Sequence, residues 1–320
     1  MTRFGFHSSH EQIPPGRLLE AVQAAERAGF GAAMCSDHFA PWSSVQGESG
    51  YAWSWLGAAL ATTDLRFGVV TAPGQRYHPA VHAQKMATLA SMFPGRFWAA
   101  LGSGQNLNEH VTGGPWPTKQ QREERLLACV EVFRALFAGE EVSVDGPVRV
   151  DRARLWTLPA EPPPLLAAAV TPRTAAWAAS WADGLITVNQ PPEVVREVIE
   201  AYRGAGGRGP ANLQVHVAWA PTDEEALRLA HEQWAPVVVG SPVAWDLALP
   251  SDFESVASFV RPDDVASGVV ATSDHHRLAD ELAALASLGF DEVYVHHVGQ
   301  EQEAFLDLAA TRLLPALAGA

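Results

Sequence analysis

The chain has 320 residues, 48% of them hydrophobic, and its 22 basic against 36 acidic side chains give a net charge of −14. That length suits a βα barrel with insertions, and an acidic chain without a basic stripe argues against a nucleic-acid partner. No apolar run approaches the ~18 residues of a membrane span and no secretory signal pattern opens the chain, so a cytoplasmic protein away from membranes is expected.

Apolar strands alternate with helical patterns nearly throughout. Phe4–His7 reads as a first strand and Pro14–Gly29 as a helix, with Pro at its start and Gly at its end. Strands follow at Gly31–Ser36, Arg66–Thr71 and Phe97–Leu101, each with a helical pattern behind it: Tyr51–Thr63, Pro79–Phe93 and Lys119–Ala138. The rhythm then breaks. Glu141–Val150 and Ala153–Thr157 alternate at period two across Asp145-Gly146, which predicts a β-hairpin near 141–157. Strands resume at Pro163–Ala169, Gly184–Val188 and Asn212–Trp219, with helices at Thr174–Trp181, Glu193–Tyr202 and Asp223–Trp234. Residues 237–264 read as a helical insertion, Val269–Thr272 as a short extra strand, and Asp274–Leu288 as a helix. Glu292–His296 is the last strand and Glu301–Leu317 the last helix.

About eight βα units in one domain predict a (β/α)8 TIM barrel. A doubly wound sheet would carry a glycine-rich phosphate loop after its first strand. Ser8-Ser9-His10-Glu11-Gln12 stands there instead. The two cysteines, Cys35 and Cys129, read as small buried apolar groups.

Chemistry in α/β folds sits beyond the carboxyl ends of the strands. Two polar clusters occupy such positions: Ser36-Asp37-His38-Phe39-Ala40-Pro41-Trp42 and Gly102-Ser103-Gly104-Gln105-Asn106-Leu107-Asn108-Glu109. His38 beside Asp37 suits a general acid or base. The alternative is a loop histidine that only hydrogen-bonds locally, and the company of Asp37 and Trp42 favours function. Glu11 reads equally as a site carboxylate and as an anion at the start of the next helix. The glycine loop alone is as compatible with a simple turn as with a phosphate cradle. His296 and His297 must face opposite sides of their strand, so at most one reaches the pocket. Neither has partners at metal-ligand spacing.

These clusters, with Arg76-Tyr77-His78-Pro79-Ala80, resemble the luciferase-like monooxygenase superfamily, and within it the F420-dependent glucose-6-phosphate dehydrogenase branch. Ser9-His10-Glu11-Gln12, Ala182-Asp183-Gly184 and Phe305-Leu306 extend the likeness over nearly the whole chain. The resemblance implies a TIM barrel, often homodimeric, that binds the deazaflavin F420, or alternatively FMN, at the barrel's carboxyl end. It implies that Asp37 contacts the ring, that Val69-Val70 forms a bulge behind it with a non-proline cis peptide, and that Ala72 belongs to the cofactor site. It makes His38 the proton-transferring residue, with Trp42, Glu11 and Gln105 beside it. Ser103, Gly104 and Asn108 match one cofactor-tail segment, and Val170, Thr171, Arg173 and Thr174 a second.

Two departures separate this chain from that branch. Gln105 stands where the dehydrogenase has a glutamate, and an amide cannot exchange a proton in catalysis. Pro191, Ala244 and Gly268, with Trp245 alongside, stand where it grips a sugar phosphate with cations. The expectation is hydride transfer between F420, or a flavin, and a small substrate that is not a sugar phosphate. Its alternatives are an FMN monooxygenase served by a flavin reductase and a catalytically silent flavin-binding barrel.

Overall fold

The structure is a computed structural model that describes residues 2–319. Eight parallel strands pair in chain order: Arg3–Ser8, Ala32–Ser36, Arg66–Thr71, Phe97–Leu101, Leu165–Ala168, Gly184–Val188, Ala211–Trp219 and Glu292–His297. The last returns to the first through Arg3↔Glu292, and Leu185↔Ala211 joins the sixth to the seventh, so the sheet closes into a (β/α)8 TIM barrel. Most of the strands are short apolar runs, because their outer faces meet helices and their inner faces meet the other strands.

Helix ends follow local chemistry. Pro15–Ala28 ends at Gly29, whose φ of 105° is left-handed and whose N–H caps the Ala25 and Glu26 carbonyls. Lys119–Phe137 starts with a reciprocal capping box between Thr118 and Gln121.

The barrel interior is plugged by Trp98 and Tyr294, both fully buried, with ring centroids 5.9 Å apart. Glycine makes this possible. A Cβ at Gly68 would lie 1.9 Å from the Trp98 ring, and one at Gly5 would lie 2.5 Å from Tyr294. The plug leaves the carboxyl end of the barrel as the place for a cavity.

Several expectations need correction. The hairpin strands are Val142–Asp145 and Arg149–Ala153, so the return strand lies earlier than expected and residues 154–157 are outside it. The final helix is interrupted by a wider π turn at Ala309–Leu313 before Leu314–Ala318. The Val69–Val70 peptide is trans, and Ser241–Pro242 is the one cis bond among the described residues. Both valines keep unbroken parallel register on each side, to Cys35 and Ser36 and to Ala99 and Ala100, and this regular ladder needs no cis bond. The 237–264 insertion consists of short helices at Val243–Asp246, Pro250–Ala257 and Pro262–Val265. Val270–Thr272 adds a parallel strand beside Ala211–Trp219.

Candidate active site

A cavity of about 720 Å³ opens at the carboxyl end of the barrel, walled by strand ends and by the 237–264 insertion. His38, Glu11, Trp42 and Gln105 all line it. So do Asp37, Val70, Ala72, Ser103, Gly104 and Asn108 on one side, and Val170, Thr171, Arg173 and Thr174 on another. Val69 does not line it. It alternates to the outer face and is buried in the helix layer. Trp245 lines the cavity, whereas Pro191, Ala244 and Gly268 do not. Pro191 precedes the helix Pro192–Gly204, and Ala244 is buried behind Trp42 with Leu107 and Phe253. Ala244 is held away from the cavity because the insertion packs onto Trp42.

His38 Nδ1 lies 3.5 Å from Glu11 Oε1, and Ser9 Oγ donates to Glu11 Oε2 at 2.9 Å. The Trp42 ring stands 5.0 Å from the His38 ring and packs edge-on against Phe253. Burial lowers the His38 pKa and the Glu11 carboxylate opposes the shift, so a neutral imidazole faces the cavity near neutral pH.

Asp37 is held differently. Its carboxylate accepts from Trp53 Nε1 at 2.9 Å, Thr71 Oγ1 at 2.8 Å and the Tyr77 hydroxyl at 2.9 Å. Arg76 lies 3.4 Å away and donates to the Asp37 carbonyl. No part of the side chain is exposed, so its charge serves to fix the strand end. Asn108 then ties the two clusters together. Its Oδ1 accepts from the Phe39 N–H at 2.8 Å, and its Nδ2 donates to Gln105 Oε1 at 3.2 Å.

Two groups of residues were missed from sequence. At the mouth, Lys119 and Arg122 line the cavity on the side of Arg173. Lys119 Nζ donates to Ser103 Oγ at 3.0 Å. A signal for them was present, since cations in the first turn of a helix oppose its dipole. Lys119 and Arg122 hold such positions in Lys119–Phe137. Asp246 of the insertion accepts from Trp116 Nε1 at 2.8 Å and lies 3.8 Å from Arg122. On the floor, the missed residues are His7, Gln214 and His216, which gather beside Trp234 with His296. His296 faces in, whereas His297 stacks on Phe305 outside the barrel, with centroids 4.6 Å apart.

A closed parallel barrel whose carboxyl-end cavity holds a buried imidazole–carboxylate pair under a cationic rim defines a barrel enzyme site. The profile of the luciferase-like monooxygenase family matches residues 1–292, and the chain belongs to that family. It is 33% identical over 99% of its length to the F420-dependent glucose-6-phosphate dehydrogenase of Beutenbergia cavernae, covering 98% of that protein. It is 31% identical to the enzyme of the same name from Nakamurella multipartita, covering 98% of this chain and 96% of that one. Among solved structures it is similar to an F420-dependent secondary alcohol dehydrogenase in complex with an F420-acetone adduct, with a TM-score of 0.89, 27% identity and 99% of each chain covered.

Proposed function

We propose that the protein is an F420-dependent oxidoreductase that transfers a hydride between the deazaflavin and an alcohol or carbonyl substrate. The observation that carries this reading is the buried His38–Glu11 pair in a large cavity whose rim supplies Lys119, Arg122 and Arg173. The residues fit the cofactor. F420 has a phosphate and an anionic tail, and cations on one rim suit both. Ser103, Gly104 and Lys119 would hold the phosphate region, Arg173 the tail, and Val70 and Ala72 the ring. Gly104 has a φ of 91°, and this left-handed turn lets the backbone approach a ligand without a side chain in the way.

When bound, the deazaflavin supplies the carbon that accepts or returns the hydride. The chain supplies proton handling and positioning. The neutral His38 ring takes the proton of a substrate hydroxyl, and Glu11 stabilises the resulting imidazolium. Gln105 cannot titrate; with its oxygen held by Asn108, its amide nitrogen serves to orient the substrate oxygen. Trp42 and Trp245 cover the reacting region and exclude water.

The proposed substrate is not a sugar phosphate. Around the reacting histidine the one lining cation among the described residues is Arg76, whose guanidinium is already engaged by Asp37 at 3.4 Å and Glu109 at 3.8 Å. Incubation of the protein with F420 and either 2-propanol or glucose 6-phosphate tests the reading. The visible absorption of F420 should bleach with the alcohol and not with the sugar phosphate. Bleaching with glucose 6-phosphate alone would assign the rim cations to substrate.

A further inference from the structure

The cavity floor carries four polar side chains that proton handling at His38 does not use. His216 and His296 are register partners on adjacent strands. His7 follows Phe6, the register partner of Val295, and so stands beside His296. These three imidazoles therefore form one inward row across three strands. The His7 and His296 rings are 4.4 Å apart, and those of His216 and His296 5.3 Å.

Their protonation states follow from the hydrogen-bond pattern. Gln12 Nε2 donates to Gln233 Oε1 at 2.9 Å and to the Val298 carbonyl, so its amide orientation is fixed. Gln12 Oε1 must therefore accept, and His296 Nε2, 2.8 Å away, must carry a hydrogen. That leaves His296 Nδ1 as a lone pair. Gln214 Nε2 lies 3.4 Å from this nitrogen and 3.1 Å from His216 Nε2, so the amide gives one hydrogen to each ring. Burial lowers the pKa of all three histidines, consistent with neutral rings.

Three polar atoms are left over: Gln214 Oε1 and both ring nitrogens of His7. Gln214 Oε1 has no partner among the described residues, and Gln214 lines the cavity with both hydrogens already committed. His7 makes no side-chain hydrogen bond among them, and its Nδ1 is buried without one. Gln214 and His7 both line the cavity, and polar groups this deep in a protein are ordinarily satisfied, so an unfilled amide oxygen and an unfilled imidazole on one floor point to a ligand's polar group. The cavity residues on this floor include no Lys, Arg, Asp or Glu. An ionic group there would be desolvated without a counter-charge.

We infer that Gln214 and His7 form a second polar subsite, below the His38 end of the cavity, that binds an uncharged hydroxyl of the substrate. The hydroxyl donates to Gln214 Oε1 and accepts from His7. His7 is the register partner of Met34, on the strand that ends at Ser36 just before His38, so the subsite lies deeper in the barrel than His38. The substrate is then a neutral molecule with a reacting alcohol or carbonyl at one end and a second hydroxyl at the other. The substrate class rests on the oxidoreductase reading, but the existence of the subsite does not.

Ligand-observed NMR titrations of the full chain at neutral pH test this without turnover. The probes are cyclohexanol, trans-1,4-cyclohexanediol and trans-4-hydroxycyclohexanecarboxylate. The diol should bind about five- to tenfold more tightly than cyclohexanol, the worth of one buried hydrogen bond. The carboxylate should bind more weakly than either. Gln214→Leu and His7→Phe should each erase the diol's advantage and leave cyclohexanol binding unchanged, with folding checked by thermal unfolding. His7→Phe carries the test if Gln214→Leu does not fold. Equal affinity for diol and cyclohexanol, tighter binding of the carboxylate, no binding of any probe, or a diol advantage that survives the variants would each overturn the inference. Failure to bind F420 would overturn the oxidoreductase reading and leave these affinities as they are.

Discussion

His38 Nδ1 stands 3.5 Å from Glu11 Oε1, and strand register brings the two together, because the strands that end just before them pair through His7↔Met34 and Ser8↔Cys35. Glu11 is held by Ser9, and His38 is backed by Trp42. The pair therefore keeps its geometry before any ligand arrives.

If His38 moves the substrate proton, His38→Ala should lower turnover by about 10²–10⁴-fold while F420 affinity changes little. Steady-state rates with 2-propanol, beside a fluorescence titration of F420, provide the check. Near-normal turnover would remove His38 from the chemistry.

The pH dependence has a definite sign. Burial lowers the His38 pKa, and if the ring takes a substrate hydroxyl's proton, as proposed, its free base is the active form. The acid limb of kcat/KM should therefore lie below the ordinary histidine value of about 6.5. Glu11 is the leading influence that raises this pKa. Glu11→Gln should move the acid limb to still lower pH, as well as slowing the reaction. A limb that stays in place would show that Glu11 does not sense the charge on His38.

The rim cations should contribute unequally to cofactor affinity. Lys119 is partly buried against Ser103, whereas the Arg173 side chain is 86% exposed. Lys119→Ala should weaken F420 binding by about 10- to 100-fold, as for a charge-assisted hydrogen bond. Arg173→Ala should cost less than about fivefold and lose its effect at high salt. Equal losses for both variants would contradict this arrangement.

Much of the fold was legible because several barrel strands are uninterrupted apolar runs bounded by turn residues, as in Phe97–Leu101 and Gly184–Val188. The His38 end of the site was legible because its residues are contiguous in sequence. The floor was not. His7, Gln214 and His296 lie on three separate strands, each looks like ordinary alternation within its own segment, and only register unites them. Ala244 was misplaced for a related reason, since its position depends on how the insertion packs against Phe253 and Trp42. Val69 was assigned to the ring by family likeness, although strand alternation turns it outward.

The buried histidines also make stability depend on pH. Burial lowers His10 and His297 to about 4 and His216 to about 3. The unfolded chain takes up these protons near pH 6.5, so between about 6.5 and about 4 it binds more protons than the folded chain. Stability should fall with pH across that window, by up to about 1.4 kcal/mol per pH unit for each such group. Urea midpoints at about pH 7 and about pH 5 should differ clearly in that direction. Identical midpoints would show that these rings are not held neutral.

Titration of the purified protein with F420 and, separately, with FMN tests the central claim most directly. The cationic rim of Lys119, Arg122 and Arg173 suits a long anionic tail, so F420 should bind more tightly and should bleach on addition of an alcohol. Against this fit, Val170 and Thr171 put side chains where close approach to a tail would favour glycine. Tight FMN binding with no measurable F420 binding would contradict the account and place the protein among the oxygen-using members of the family.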